Sequence, residues 1–161
     1  MSVIEGALGT PLQFAGTPGV GTDAVQTLTV GATSGQYRLT FEGFTTADIA
    51  FNANAAAIDA ALEALPSVGA GGVAVTGASS PFTITFGGNL ARRLVGVITV
   101  SPGTTPFAGG TVTIANTTPG VTAFGRGVGR GALVQDTVNG RLHVNTGTAL
   151  VPIWTVVGTQ T

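Results

Sequence analysis

Between Gln36 and Leu65 the spacing of apolar residues changes from two to about 3.6, and that change limits what the chain can fold into. The stretch opens QYRLTF. Tyr37, Leu39 and Phe41 point one way while Arg38, Thr40 and Glu42 point the other, which predicts a strand with one buried face. Glu42-Gly43 breaks the run and lets the chain turn. A short second strand follows, with Ile49 and Phe51 on one side. Then Ile58, Ala61, Leu62 and Leu65 fall at i, i+3, i+4 and i+7, one apolar stripe of a helix over about 54–65. Asn52 or Asn54 supplies an N-cap oxygen, and Pro66 ends the helix by disfavouring the helical region for Leu65. Most of this helix is alanine, small enough to lie close against a sheet.

The rest of the chain reads as strands. VQTLTV at 25–30 is rich in β-branched residues. Short strands are predicted at Val73–Thr76, at Phe82–Phe86 with Phe82, Ile84 and Phe86 on one face, and at Thr111–Ala115 with Val112 and Ile114 inward. Leu90–Val100 is ambiguous, although β-branched residues favour a strand over Val97–Val100. Strands on both sides of one helix predict an α+β fold: a β-rich, mainly antiparallel sheet with one packed helix. Four segments follow from composition. Residues 1–22 form an N-terminal arm, either disordered or extended over a neighbouring subunit with Leu12 and Phe14 to bury. Residues 23–120 form the α+β domain. Residues 121–131, which include FGRGVGRG, form a Gly/Arg linker. Residues 132–161 form a small C-terminal β-hairpin segment, with Asn139-Gly140 as a two-residue type I′ turn and a third strand over Ile153–Val157. So short a segment buries little alone, so it must pack on the main domain or on copies of itself. Leu142, Val144 and Trp154 are the residues available for that contact.

The chain has 161 residues, a formal charge of −1 and only 8% charged side chains, all six basic ones arginine. No strong field is available to gather nucleic acid or a membrane surface. Hydrophobic residues make up 43% and are patterned, which argues against disorder over most of the length. A surface so poor in charge suits a protein covered by its own copies or by a partner. Cysteine is absent, so disulfides and thiolate chemistry are excluded. The N-terminus shows no secretory signal pattern, and the longest apolar run is far short of a membrane span. The expectation is a protein that matures in a cytoplasm.

Candidate chemistry is sparse. His143 is the sole histidine and lies opposite Leu142 and Val144, which predicts a surface or interface position. The carboxylates Glu5, Asp23, Glu42, Asp48, Asp59, Glu63 and Asp136 show no pairing for acid–base work. Asp59 and Glu63, at i and i+4, read as a solvated helix face. GVGRGA at 127–132 fits a loose dinucleotide fingerprint, but no strand precedes it and no helix follows. Arg126 and Arg130 are too few for a nucleic-acid footprint. Asn116-Thr117-Thr118 is a formal glycosylation sequon, idle without secretion. The expectation is a protein that is not an enzyme and holds no cofactor or metal.

VQTLTV, YRLTFEGFTTADIAFNANAAAIDAALEAL, VAVTG and PFTITFGG occur in this order over about residues 23–118, and they resemble a module of bacteriophage virion proteins, particularly those of actinobacterial hosts. QDTVNGRLHVNTGT followed by PIWTVVG is similar to terminal segments of phage head-fibre and decoration proteins, with His143 where an aromatic is common. The resemblance implies a virion structural protein on the capsid exterior, a homotrimer bound to the major capsid protein that reinforces the shell. It implies no catalytic residues. On this reading Leu142, Val144 and Trp154 make trimer contacts, while Leu12 and Phe14 touch the shell. A tail or baseplate component is the alternative within the same class. A carbohydrate-binding or adhesion module is a further one, disfavoured by an aromatic content of 6%.

Overall fold

The structure, a computed structural model, describes the backbone of Leu12–Phe14 and residues 21–121, 130–136 and 138–159. The chain divides into two compact units: residues 22–121, and residues 1–21 together with 122–161. The fold is α+β and β-rich, with one α-helix among the described residues.

The first unit holds two sheets and the helix. Strands β2 (Val25–Val30), β6 (Val73–Thr76), β7 (Phe82–Phe86) and β9 (Val112–Thr118) form an antiparallel sheet in the order β6-β7-β2-β9. Strand β3 (Gln36–Phe41) pairs with β4 (Phe44–Thr45), β5 (Ile49–Ala50) and β8 (Thr99–Pro102), all antiparallel. The alternation in the sequence becomes the division between core and surface. Tyr37, Leu39 and Phe41 are buried from one sheet, Phe82, Ile84 and Phe86 from the other, and all join a single core. Phe41 and Phe86 meet across it with ring centroids 5.3 Å apart.

The turn at Glu42-Gly43 is a two-residue hairpin. Both residues have positive φ, 47° and 85°, and Phe41 pairs with Phe44 across it. That is the backbone of a type I′ turn, whose twist matches the strands it joins.

Helix α1 (Ala55–Glu63) starts where Asn54 Oδ1 accepts the Ala57 N–H at 2.9 Å. Its stripe of Ile58 and Leu62 is fully buried, and Leu65 just beyond is buried too. Each such aliphatic side chain contributes roughly 1.5–3 kcal/mol by leaving water. Asp59 and Glu63 are not a merely solvated face. Asp59 accepts the Val75 N–H at 2.8 Å and Glu63 the Gly71 N–H at 2.6 Å. The first of these bonds satisfies a donor of β6, the end strand of its sheet, and so guards that edge.

The ambiguous stretch around Leu94 is a loop, and the strand after it begins at Thr99 rather than Val97. The cause lies in β2. Gln26 is fully buried; its Nε2 donates to the Gly96 carbonyl and its Oε1 accepts the Ile98 N–H, each at 2.9 Å. Residues 96–98 are therefore held by a side chain and cannot pair with β3.

The second unit is a sheet in the order β1-β10-β11-β12. It comprises β1 (Leu12–Phe14), β10 (Leu133–Asp136), β11 (Arg141–Asn145) and β12 (Trp154–Thr159). Strand β1 lies parallel to β10, and the other pairings are antiparallel. The expected hairpin at Asn139-Gly140 is present, but its turn differs. Asp136 pairs with Arg141, and only Gly140 has positive φ among the described loop residues. The Asp136 carboxylate organises this longer loop by accepting from the Val138 and Asn139 N–H groups at 3.0 and 3.1 Å and from Asn139 Nδ2 at 2.7 Å. A buried carboxylate able to satisfy three donors outweighs the local preference of Asn-Gly.

Candidate assembly surfaces

The residues proposed for contact with other copies lie in the second unit, where the register decides which of them share a face. Leu142 pairs with Gln135 and Val144 with Leu133, so these residues lie on one side of the sheet. Leu142 and Val144 are half-buried there and Leu133 is exposed. Trp154 pairs with Asn145, which puts it on the other side. The three residues expected to make trimer contacts are therefore divided between two faces.

Leu12 and Phe14 contribute backbone to β1, in register with Val134 and Asp136. Their side chains lie outside the described residues, as do residues 122–129 of the expected linker. The N-terminal segment was expected to lie on a neighbour or to be disordered. Its residues 12–14 pair with β10 of their own chain.

His143 is a correction. It is 1% exposed rather than at the surface, on the face that also buries Val134, Asp136 and Asn145. The alternation of Leu-His-Val is as read, but the face was assigned backwards. The buried side of this sheet is the polar one because its polar side chains serve the turns. Asp136 holds the loop before β11. Asn145 Oδ1 accepts from the Gly147 and Ile153 N–H groups at 2.9 and 3.0 Å. Neither ring nitrogen of His143 has a hydrogen-bond partner. No periodicity in the sequence distinguishes this arrangement from its inverse.

Strand β12 and the loop before it expose apolar residues that are not confined to one face of the sheet, since Val156 pairs with His143 and Val157 follows it directly. Leu150, Ile153, Val156 and Val157 are 43%, 48%, 47% and 54% exposed. No lysine, arginine, aspartate or glutamate occurs from Leu142 to Thr161. An end strand rich in valine and without charge is the kind that proteins ordinarily protect from other chains.

In the first unit the electrostatics are local. Arg38 Nε donates to Asp48 Oδ1 at 2.7 Å, and its Nη2 to Thr104 Oγ1 at 2.9 Å. Hydrogen bonds from Arg38 and then from Thr104 hold the Asp48 carboxyl down at about 2. Burial pushes the Tyr37 hydroxyl up to about 12, and that hydroxyl has no hydrogen-bond partner. A shallow cavity of about 320 Å³ is lined by Phe51, Asn52, Asn54, Ser79, Ser80 and Phe82 beside the start of α1. Among the described residues no group of three or more His, Asp or Glu side chains converges as metal ligands do, and no helix is long and apolar enough to cross a membrane.

No protein-family model matches the chain, and no curated protein matches it. Among solved structures it is similar to a chain from Mycobacterium phage Patience, at 17% identity with a TM-score of 0.44. The match covers 87% of this chain and 57% of that one, so the present chain spans little more than half of that chain's length.

Proposed function

We propose that the chain is a structural protein of a bacteriophage virion. More specifically, it is a decoration protein seated as a homotrimer on the outside of the head, where it binds the major capsid protein and reinforces the shell. The observation that carries this reading is the number of exposed apolar residues, with no charge among them, on the end strand β12 and its preceding loop. The ordered runs of sequence that resemble virion modules support the same reading. Its mechanism is binding energy shared among many copies. Each contact is modest, and multivalent attachment to the shell multiplies it without new chemistry.

Sedimentation equilibrium of the purified chain at micromolar concentration is expected to give a trimer, and a monodisperse monomer would reject the oligomer. Particles assembled with and without the protein are expected to differ in density on the head exterior. Density lost from the tail would replace this assignment with the tail or baseplate reading, and unchanged particles would reject both.

A further inference from the structure

The first unit carries exposed apolar residues of its own. Leu94 is 68% exposed, Val97 47% and Val121 55%. They are not on a loose loop. Val95 and Ile98, which alternate with them, are buried at 7% and 1%. Gln26 holds the backbone at Gly96 and Ile98. Asp23 Oδ1 accepts the Arg92 N–H at 2.7 Å, with Arg92 in the left-handed region at φ 50°. Gly120 lies so close to the Arg93 carbonyl that a Cβ there would sit 1.9 Å from its oxygen, so the backbone just before Val121 packs against the loop. A buried amide and a left-handed arginine both cost free energy. What they produce is a fixed backbone presenting Leu94 and Val97 outward. Surfaces ordered in advance lose less entropy on binding.

Charge identifies what covers it. Arg92 and Arg93, two of the six basic residues in the chain, flank the apolar tip. Arg93 reaches only Glu42, at 3.9 Å, with both side chains about two-fifths exposed. Such a pair is worth little, and Arg93 is open to a better partner. The chain's other described carboxylates are committed elsewhere: Asp23 to Arg92 N–H, Asp48 to Arg38, Asp59 and Glu63 to backbone donors, and Asp136 to its own loop. Of the described carboxylates, a second copy could offer Arg93 only its Glu42, a carboxylate already shared with that copy's own Arg93. We infer that Leu94, Val97 and Val121, rimmed by Arg92 and Arg93, form a docking site for a different protein. That protein presents an apolar depression edged with carboxylates. The inference stands on the geometry of this unit alone; under the virion reading the partner is the shell protein.

The test places a photo-crosslinking phenylalanine at position 94 of the full chain, or at exposed Ala60 as a control, in the cells that produce it. Crosslinking at 94 and not at 60 is expected to yield an adduct with one second protein. Arg92→Glu with Arg93→Glu is expected to reduce that adduct about tenfold or more. Thermal unfolding of each variant checks the fold. If the double variant melts early, Arg93→Glu alone carries the test. An adduct with another copy of this chain, with nucleic acid or with lipid overturns the inference. So does the absence of an adduct, or one that is indifferent to the arginine reversals. Whether the unmodified chain is present in purified particles is scored separately, so failure of the virion reading is not confused with failure of this one.

Discussion

Thr22 and Val121 exchange two backbone hydrogen bonds, each 2.9 Å long, so the chain enters and leaves the first unit at adjacent points. Between them lie both sheets of that unit, its helix and a complete core. In sequence the unit is an insertion between β1 and β10, which pair with each other. Residues 22–121 expressed alone are therefore expected to fold. A single cooperative thermal transition with a dispersed amide NMR spectrum is the outcome anticipated; a collapsed, non-cooperative spectrum would contradict it.

Replacing Gln26 by Leu keeps bulk but removes both amide bonds. The Gly96 carbonyl and the Ile98 N–H would then be buried or half-buried without their partner. The expected cost is about 2–4 kcal/mol in urea unfolding, with the loop at Leu94 gaining faster amide exchange. A change below about 0.5 kcal/mol would show that the loop is held by Val95 and Ile98 alone.

Tyr37 is fully buried with an unpartnered hydroxyl. Tyr37→Phe is expected to raise stability by about 1 kcal/mol, since it deletes a group that is dehydrated and gains nothing. The same residue gives an alkaline limb. Its folded value is raised to about 12 by burial, above the ordinary 10.0. Its ionisation does not affect stability below pH 10, and stability falls as pH rises toward 12, because the unfolded chain releases the proton first. Tyr37→Phe should remove that part of the decline in a pH series of denaturant midpoints.

Asp48 sets the acid limb. Its folded value is lowered to about 2 by hydrogen bonds from Arg38 and Thr104. Its contribution is present above the unfolded carboxylate value of 3.8 and is lost as pH falls toward about 2, where the folded form takes up its proton. Asp48→Asn is expected to flatten the stability curve over that window and leave the curve between pH 5 and 8 parallel to the original. An unchanged acid limb would assign it to other carboxylates.

The core of the first unit was legible because it is written in local periods. Tyr37, Leu39 and Phe41, then Phe82, Ile84 and Phe86, announce strand faces by alternation, and Ile58, Leu62 and Leu65 announce a helix face. Alternation tells which residues share a side. It does not tell which side is covered, and that is why the spacing around His143 predicts an outward side chain where the structure buries it. The same limit applies to Gln26, a polar residue at an inward position whose value depends on backbone 70 positions away.

What the sequence determined by itself was the β-rich α+β class, one helix with an asparagine cap, and the scarcity of charge. Only the tertiary structure decided that residues 12–14 pair with a strand about 120 positions later, that Asp59 and Glu63 serve backbone donors, and that Leu94 stands outward on a clamped loop. Periodicity is a property of neighbours along the chain, fixed by the geometry of one helix or one strand. Burial of a polar side chain depends on a distant donor or acceptor arriving to replace water, and no local spacing encodes that arrival.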